Sequence, residues 1–478
     1  MLEIPILRAG RPYTSKDVLA LGDYASGEPI ARVSLANPGL IARDLFADGW
    51  SELQRIPVEE NLARLRQAAR HFMDDDLPVG PSSQSPEAFV SAQSATTGLP
   101  HALCRRNMRK IEAAMLHMAE ILDGLTGGID PATLDIGYGR RNGHTVSFAP
   151  QARRFGAVLP ANSPGVHALW LPAVALKMPL ALKPGQREPW TPLRILEALR
   201  KAGVPDAVFG FYPSGHDGAG VILRRCGASM LFGGGATVQP WLADPRIEIH
   251  GPGYSKILLG PDTADAWESY LDILVESVAS NGGRSCINAS SIRTTSHADE
   301  LAEALAERLN RIVPRRRDDP EALLAAFPDP AVAEAIDGAI GRALAQTSAE
   351  DVTARLRNGG RLAVYEGGTY LLPTVIRADI DHSLANQEYL FPFVSVVQCP
   401  ADEIVASLGP TLVLTALTEE PNMEQALLAS ADISRLNFGP VPTTVVQWDQ
   451  PHEGNLFHHL YRPRAFQRET LTRACAAV

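Results

Sequence analysis

Between residues 155 and 232 the chain alternates short apolar runs with helical ones, and this alternation restricts its fold more than any other feature. Residues 155–159 predict a strand, as do 180–182, 207–211 and 229–232. Between the first two, Val166, Leu169, Leu171, Val174 and Leu176 fall at helical spacing. Thr191 and Pro192 read as the N-cap and first residue of a second helix, which Gly203 closes from the C′ position. Residues 218–225 read as a third. Apolar strands separated in this way imply a parallel sheet covered on both faces. Such sheets bind ligands at the carboxyl ends of their strands. Those ends are Pro160-Ala161-Asn162, Lys183-Pro184-Gly185-Gln186, Pro213-Ser214-Gly215 and Gly233-Gly234-Gly235. Two are glycine-bearing loops entering helices, the backbone that dinucleotide phosphates need. No GxGxxG fingerprint is present, so motifs alone do not give a standard Rossmann unit.

Upstream, Gly27 leads from a turn into a strand ending near Val33. Met108, Ile111, Met115, Met118, Ile121, Leu122 and Leu125 predict one helix over 107–125. Asn142-Gly143 between 136–140 and 144–148 predicts a hairpin, because Asn-Gly supplies the positive φ of a type I′ turn. With 478 residues, 45% of them hydrophobic, the chain can bury two or three cores. A net charge of −10 without a basic block argues against nucleic acid and anionic membranes. No apolar run reaches the roughly 18 residues of a membrane span, and residues 1–5 carry no signal pattern. The five cysteines are far apart and lack metal-ligand spacing, which fits a reducing cytoplasm. No metal site is expected, and the adjacent His458 and His459 read as part of an interface segment.

Cys286 is the candidate nucleophile. It follows Asn281-Gly282-Gly283, a tight turn, and precedes a strand-like stretch over 289–295. A thiol on such a loop can attack a carbonyl, with turn dipoles stabilising the thiolate. Taken alone, it reads first as a small buried hydrophobe, and the rest of the chain decides the matter.

The order of motifs resembles the aldehyde dehydrogenase superfamily over nearly the whole chain. Residues 155–162 resemble the strand that ends in the family's catalytic asparagine, here Asn162. Lys183-Pro184-Gly185-Gln186 resembles the cofactor-binding Lys-Pro-Ser-Glu stretch, and Phe232-Gly233-Gly234-Gly235 the Phe-Thr-Gly-Ser turn. Asn281-x-Gly283-x-x-Cys286 matches the nucleophile loop. Leu372-Pro373-Thr374-Val375 and Glu388-Tyr389-Leu390-Phe391-Pro392 resemble two catalytic-domain segments, the second touching the nicotinamide ribose. The resemblance implies an α/β fold. A Rossmann-like NAD(P)-binding domain would span 1–128 and 149–249, and a catalytic domain 250–450. An oligomerisation arm from 129–148 and 451–478 would make a homodimer or homotetramer.

By the same resemblance, Cys286 attacks the carbonyl while the Asn162 amide and the Cys286 N–H hold the oxyanion. The other reading of Asn162 is a helix N-cap before Ser163-Pro164. Pro160, Lys183, Gln186, Phe232, Gly233, Gly234 and Glu388 would bind the cofactor. Leu390 takes the place of the family's nicotinamide-facing phenylalanine, so Phe391 is expected in the core. Two departures bear on chemistry. His250 stands where hydrolytic members carry a glutamate base, and Gly251-Pro252-Gly253 resembles the CoA-acylating (acyl-CoA reductase) branch. Gln186 stands where a glutamate repels a 2′-phosphate, with Arg187 beside it, so both NAD and NADP are expected. The implied reaction joins an aldehyde and an acyl thioester, with coenzyme A as co-substrate. The alternatives are a hydrolytic enzyme, with His250 or another group activating water, and an idle scaffold kept for assembly.

Overall fold

The four predicted strands lie in one seven-stranded sheet. Its order is Ile247–His250, Ala228–Phe232, Phe155–Val158, Leu180–Lys183, Phe209–Phe211, Ile6–Arg8, Arg11–Tyr13. The first five are parallel, and the two N-terminal strands pair antiparallel at the edge. From Phe155–Val158 the chain steps outward through two strands, then returns to place Ala228–Phe232 on the other side. The carboxyl ends of Phe155–Val158 and Ala228–Phe232 therefore flank a topological switch point, where loops diverge and open a crevice. The computed structural model describes residues 1–46, 49–346 and 348–469. The expected tail over 451–478 thus lies partly, with Cys475, outside the described residues.

The connections differ from the sequence pattern in ways that side-chain chemistry explains. The segment 166–176 is a 3-10 turn, Pro164–Ala168, followed by a single helical turn, Pro172–Ala175. Pro164 and Pro172 each lack an N–H and start a new turn instead of continuing an old one. Thr191 lies inside the helix Trp190–Lys201, not at its cap. The Glu188 carboxylate takes the capping role, accepting from the Thr191 N–H at 2.9 Å and the Thr191 hydroxyl at 2.7 Å. Gly203 does close that helix, with φ +90° and Val204 N–H donating to Leu199 O. The helix predicted over 107–125 starts earlier and breaks at His117, giving His101–Leu116 and Met118–Thr126. The first half of 207–211 is a 3-10 turn.

A second seven-stranded sheet begins six residues after the first ends, at Lys256. Its order is Ala349–Asp351, Thr374–Ala378, Phe393–Gln398, Ser291–Thr294, Lys256–Leu259, Thr411–Leu417, Ile433–Phe438. Only its first edge strand is antiparallel. The Cys286 loop enters this sheet at the central strand Ser291–Thr294. The predicted hairpin forms from Tyr138–Arg141 and His144–Pro150, with Asn142 at φ 50° and Gly143 at φ 81°. Tyr461–Pro463 adds to it as a third antiparallel strand. No helix among the described residues is long and apolar enough to cross a membrane.

Candidate active site

The nucleophile loop is held from several sides. Asn281, Gly282 and Gly283 take three successive positive φ angles, 54°, 66° and 68°. Gly283 has no alternative: a methyl group there would sit 2.3 Å from the backbone of Phe391. Asn281 accepts from Asn107 Nδ2 at 2.8 Å and donates to Ser163 and Ser285. Arg284 is buried and donates to the carbonyls of Thr97 and Ala326. Asn288 Oδ1 accepts the Ser285 N–H at 2.9 Å, and the Cys286 carbonyl accepts from the Ser255 hydroxyl at 2.8 Å. These contacts fix the backbone of the loop that carries the thiol.

Asn162 is not a helix cap. Its Nδ2 donates to the Arg284 carbonyl at 2.8 Å, which ties the end of strand Phe155–Val158 to the nucleophile loop. One amide N–H is used in this way, and the other has no partner among the described residues.

Cys286 stands between two cavities. One, about 770 Å³, opens at the switch point and is lined by Pro160, Asn162, Phe232, Gly233, Gly234, His250, Glu388 and Leu390 among others. This crevice gathers most of the residues expected to hold the cofactor. Lys183 and Gln186 are not in its wall, but their loop abuts it. A methyl on Gly185 would lie 2.6 Å from Pro160 O. Lys183 ends its strand half-buried and without an ion-pair partner among the described residues, its pKa lowered by burial. Gln186 and Arg187 are exposed. Gly234 has open space before it, so its backbone can approach a phosphate. This set fits a dinucleotide: bare backbone for phosphates, a free ammonium and a carboxylate for ribose hydroxyls. Leu390, 37% exposed, faces the crevice, whereas Phe391, 2% exposed, packs against Tyr389 and Phe393 as expected.

Glu388 does more than line the wall. Its Oε2 accepts from the N–H groups of Gly253 and Tyr254 at 2.9 and 2.7 Å. Burial outweighs these bonds and pushes its pKa up to about 7.

The second cavity, about 830 Å³, lies on the other side of Cys286 and is largely apolar, with Ile121, Leu125, Leu169 and Trp448 in its wall. It also holds Glu248, His250, His452, Glu453 and Lys110. His250 is clamped: Nδ1 is 2.8 Å from Glu453 and Nε2 is 3.1 Å from Glu248, while Phe232 stacks on the ring at 4.5 Å. Burial alone would lower its pKa, but the two carboxylates outweigh it and raise the value to about 9. His250 is therefore an imidazolium near neutrality, and both ring nitrogens donate. Of the roles open to His250 (base, wall of the thiol site or core residue), this clamp disfavours the base, because both ring nitrogens face carboxylates.

The thiol also differs from expectation. Burial, with Glu388 and then Glu453 nearby, pushes Cys286 up to about 12, and Lys110 only partly opposes them. The resting group is a thiol, not a thiolate stabilised by turn dipoles. Glu453, Glu248 and Lys110 were missed from sequence. Glu453 comes from the C-terminal segment and Lys110 from a helix, so no local spacing links them to Cys286. Among the described residues no group of three or more His, Cys, Asp or Glu could hold a metal ion.

The aldehyde dehydrogenase family model matches residues 82–408. The fold is similar to that of gamma-glutamyl-gamma-aminobutyraldehyde dehydrogenase from Burkholderia cenocepacia, with 17% identity, TM-score 0.76 and coverage of 97% of this chain and 96% of that one. The aldehyde dehydrogenase KauB from Pseudomonas aeruginosa is similar at 16% identity and TM-score 0.77, covering 98% and 96%. So is an aldehyde dehydrogenase from Bacillus cereus in its NAD+ complex, at 14% identity and TM-score 0.76, covering 97% and 96%.

Proposed function

We propose, from the premise that this chain belongs to the aldehyde dehydrogenase family, that it oxidises an aldehyde through a Cys286 thioester and passes the acyl group to coenzyme A. The enzyme class, an NAD(P)-dependent aldehyde oxidoreductase, follows from the family. The acyl acceptor is our reading, and one observation supports it. At the position of the family's hydrolytic base stands His250, an imidazolium with both nitrogens committed to carboxylates.

In the forward direction the Cys286 thiol adds to the carbonyl. A sulfur–carbon bond forms, and the thiol proton leaves to a carboxylate of the site. Glu388 and Glu453 both act on the thiol electrostatically and are the candidate acceptors. The free Asn162 N–H and the Cys286 backbone N–H stabilise the oxyanion; losing one such donor costs about 10²–10³-fold in rate. The bound dinucleotide supplies the hydride acceptor. Pro160, Phe232, Gly233, Gly234, Lys183 and Glu388 would hold it, and Gln186 with Arg187 would admit the 2′-phosphate form. The CoA thiol then attacks the thioester carbon, the Cys286–carbon bond breaks, and Cys286 regains a proton. Run backwards, the same steps reduce an acyl-CoA.

A second reading rests on Glu453. This carboxylate lines the cavity beside Cys286 and could activate water, giving a free acid. Turnover with and without CoA separates the two. Sustained reduction of NAD(P) only with CoA, and a single-turnover burst without it, supports the thioester acceptor. Steady production of carboxylate without CoA, lost in Glu453→Gln, would establish hydrolysis instead. Absence of a burst with any aldehyde would favour the idle scaffold. We further propose that the three-stranded unit of Tyr138–Arg141, His144–Pro150 and Tyr461–Pro463 serves self-association, its aromatic and arginine content suiting an interface.

A further inference from the structure

The second cavity holds an ammonium with no carboxylate in contact, which the reaction above does not use. Its two carboxylates, Glu248 and Glu453, are both bound to His250. Lys110, on the helix His101–Leu116, lines the same cavity and has no carboxylate within 4.0 Å and no hydrogen-bond partner among the described residues. Its stem lies across Gly165, where a methyl would stand 3.2 Å from Lys110 Cδ. Behind it, Arg435 also lacks a carboxylate partner among the described residues. Its guanidinium contacts His452 Nδ1 at 3.2 Å and donates to the Val445 carbonyl at 3.0 Å. His452, half-buried, is desolvated and faces three cationic groups, Arg435, Lys110 and His250; its pKa falls well below the ordinary value, so it is neutral and adds no counter-charge. Burial lowers the pKa of both Lys110 and Arg435, Cys286 opposes it in each, and Arg435 lowers Lys110 further.

An ammonium in a mostly apolar cavity, with no carboxylate in contact, is costly to keep. A substrate that carries its own anion would supply that contact. We propose that this cavity selects aldehydes carrying a carboxylate at the far end of an aliphatic chain, the carboxylate held by Lys110 with Arg435 supporting it. The apolar wall of Ile121, Leu125, Leu169 and Trp448 suits the methylenes between the two ends. This inference rests on the reading that aldehydes are the substrates.

The test compares 4-oxobutanoate and 6-oxohexanoate with butanal and hexanal, in the native enzyme, Lys110→Met and Lys110→Arg. A charge-assisted contact predicts a kcat/KM preference for one or both oxo acids of about 10–100-fold over the neutral aldehyde of equal length. Lys110→Met should lose that preference and Lys110→Arg should keep most of it. As a readout independent of turnover, succinate or adipate should protect Cys286 from iodoacetamide in the native protein and not in Lys110→Met. A ratio that Lys110→Met leaves unchanged overturns the proposal. So does an equal fall for acid and neutral aldehydes with a shifted pH profile of Cys286 alkylation, which would make Lys110 a partner of the thiol. If no aldehyde is oxidised but a dicarboxylate still protects Cys286, the anion subsite stands and the aldehyde reading fails.

Discussion

Gly253 and Cys286 touch through their backbones: a methyl group on Gly253 would lie 2.0 Å from the Cys286 carbonyl oxygen. The same Gly253 donates its N–H to Glu388. One residue without a side chain thus joins the loop after the first sheet, the nucleophile loop and the crevice carboxylate.

Gly253→Ala should therefore displace the Cys286 loop. Overpacking of this kind costs about 1–3 kcal/mol, so a lower melting temperature is expected. Turnover should fall by more than the stability loss explains, because the thiol moves relative to Asn162. An alanine variant with native kcat would show that the loop's position is not critical.

Cys286→Ala should abolish turnover and leave the fold intact. In the native protein iodoacetamide should modify Cys286 ahead of the buried Cys104, Cys226 and Cys399. With its pKa pushed up to about 12, the thiol should react slowly at neutral pH, and the rate should climb about tenfold per pH unit below that value. Alkylation that is fast and flat above pH 7 would contradict the burial argument.

The His250 clamp predicts a pH-dependent stability. Its folded pKa, about 9, lies above the ordinary 6.5, so protonation favours the folded state. The contribution is complete below about pH 6.5 and is lost as pH rises through about 9. By linkage it amounts to at most about 3 kcal/mol. Urea midpoints of the native protein and of His250→Gln should converge across that window. A constant gap between them would mean that the carboxylates do not hold the proton.

Gln186→Glu should penalise NADP relative to NAD by about 10–100-fold, since it sets a carboxylate where a 2′-phosphate is expected. Kinetics with both cofactors measure this. A native enzyme that never uses NADP would remove the premise.

Some of this molecule could be read residue by residue. Asn142-Gly143 and Asn281-Gly282-Gly283 were legible because few residues tolerate the backbone they adopt. The parallel strands were legible because burial on both faces leaves an apolar run. The helix boundaries were less so. A proline at 172 splits a run whose spacing looks continuous, and a buried glutamate outranks Thr191 as a cap. The site itself was half legible. Cys286, Asn162 and the crevice loops sit at strand ends in recognisable order. The groups that set its charge, Lys110, Arg435 and Glu453, come from distant segments. Their meeting is a product of tertiary packing, and so is the clamp that turns His250 from a base into a cation.

The strand Tyr461–Pro463 has a consequence for how the enzyme comes into being. Its neighbour His458 accepts a hydrogen bond from Gln151, 307 residues earlier in the chain. The segment from Val446 to Leu456, which walls the second cavity beside Cys286, leaves the ribosome just before that strand does. During synthesis at about 5–20 residues per second, both sheets can be nearly complete while this wall is still absent. A chain that has made both sheets but not yet residues 446–456 thus lacks one wall beside Cys286.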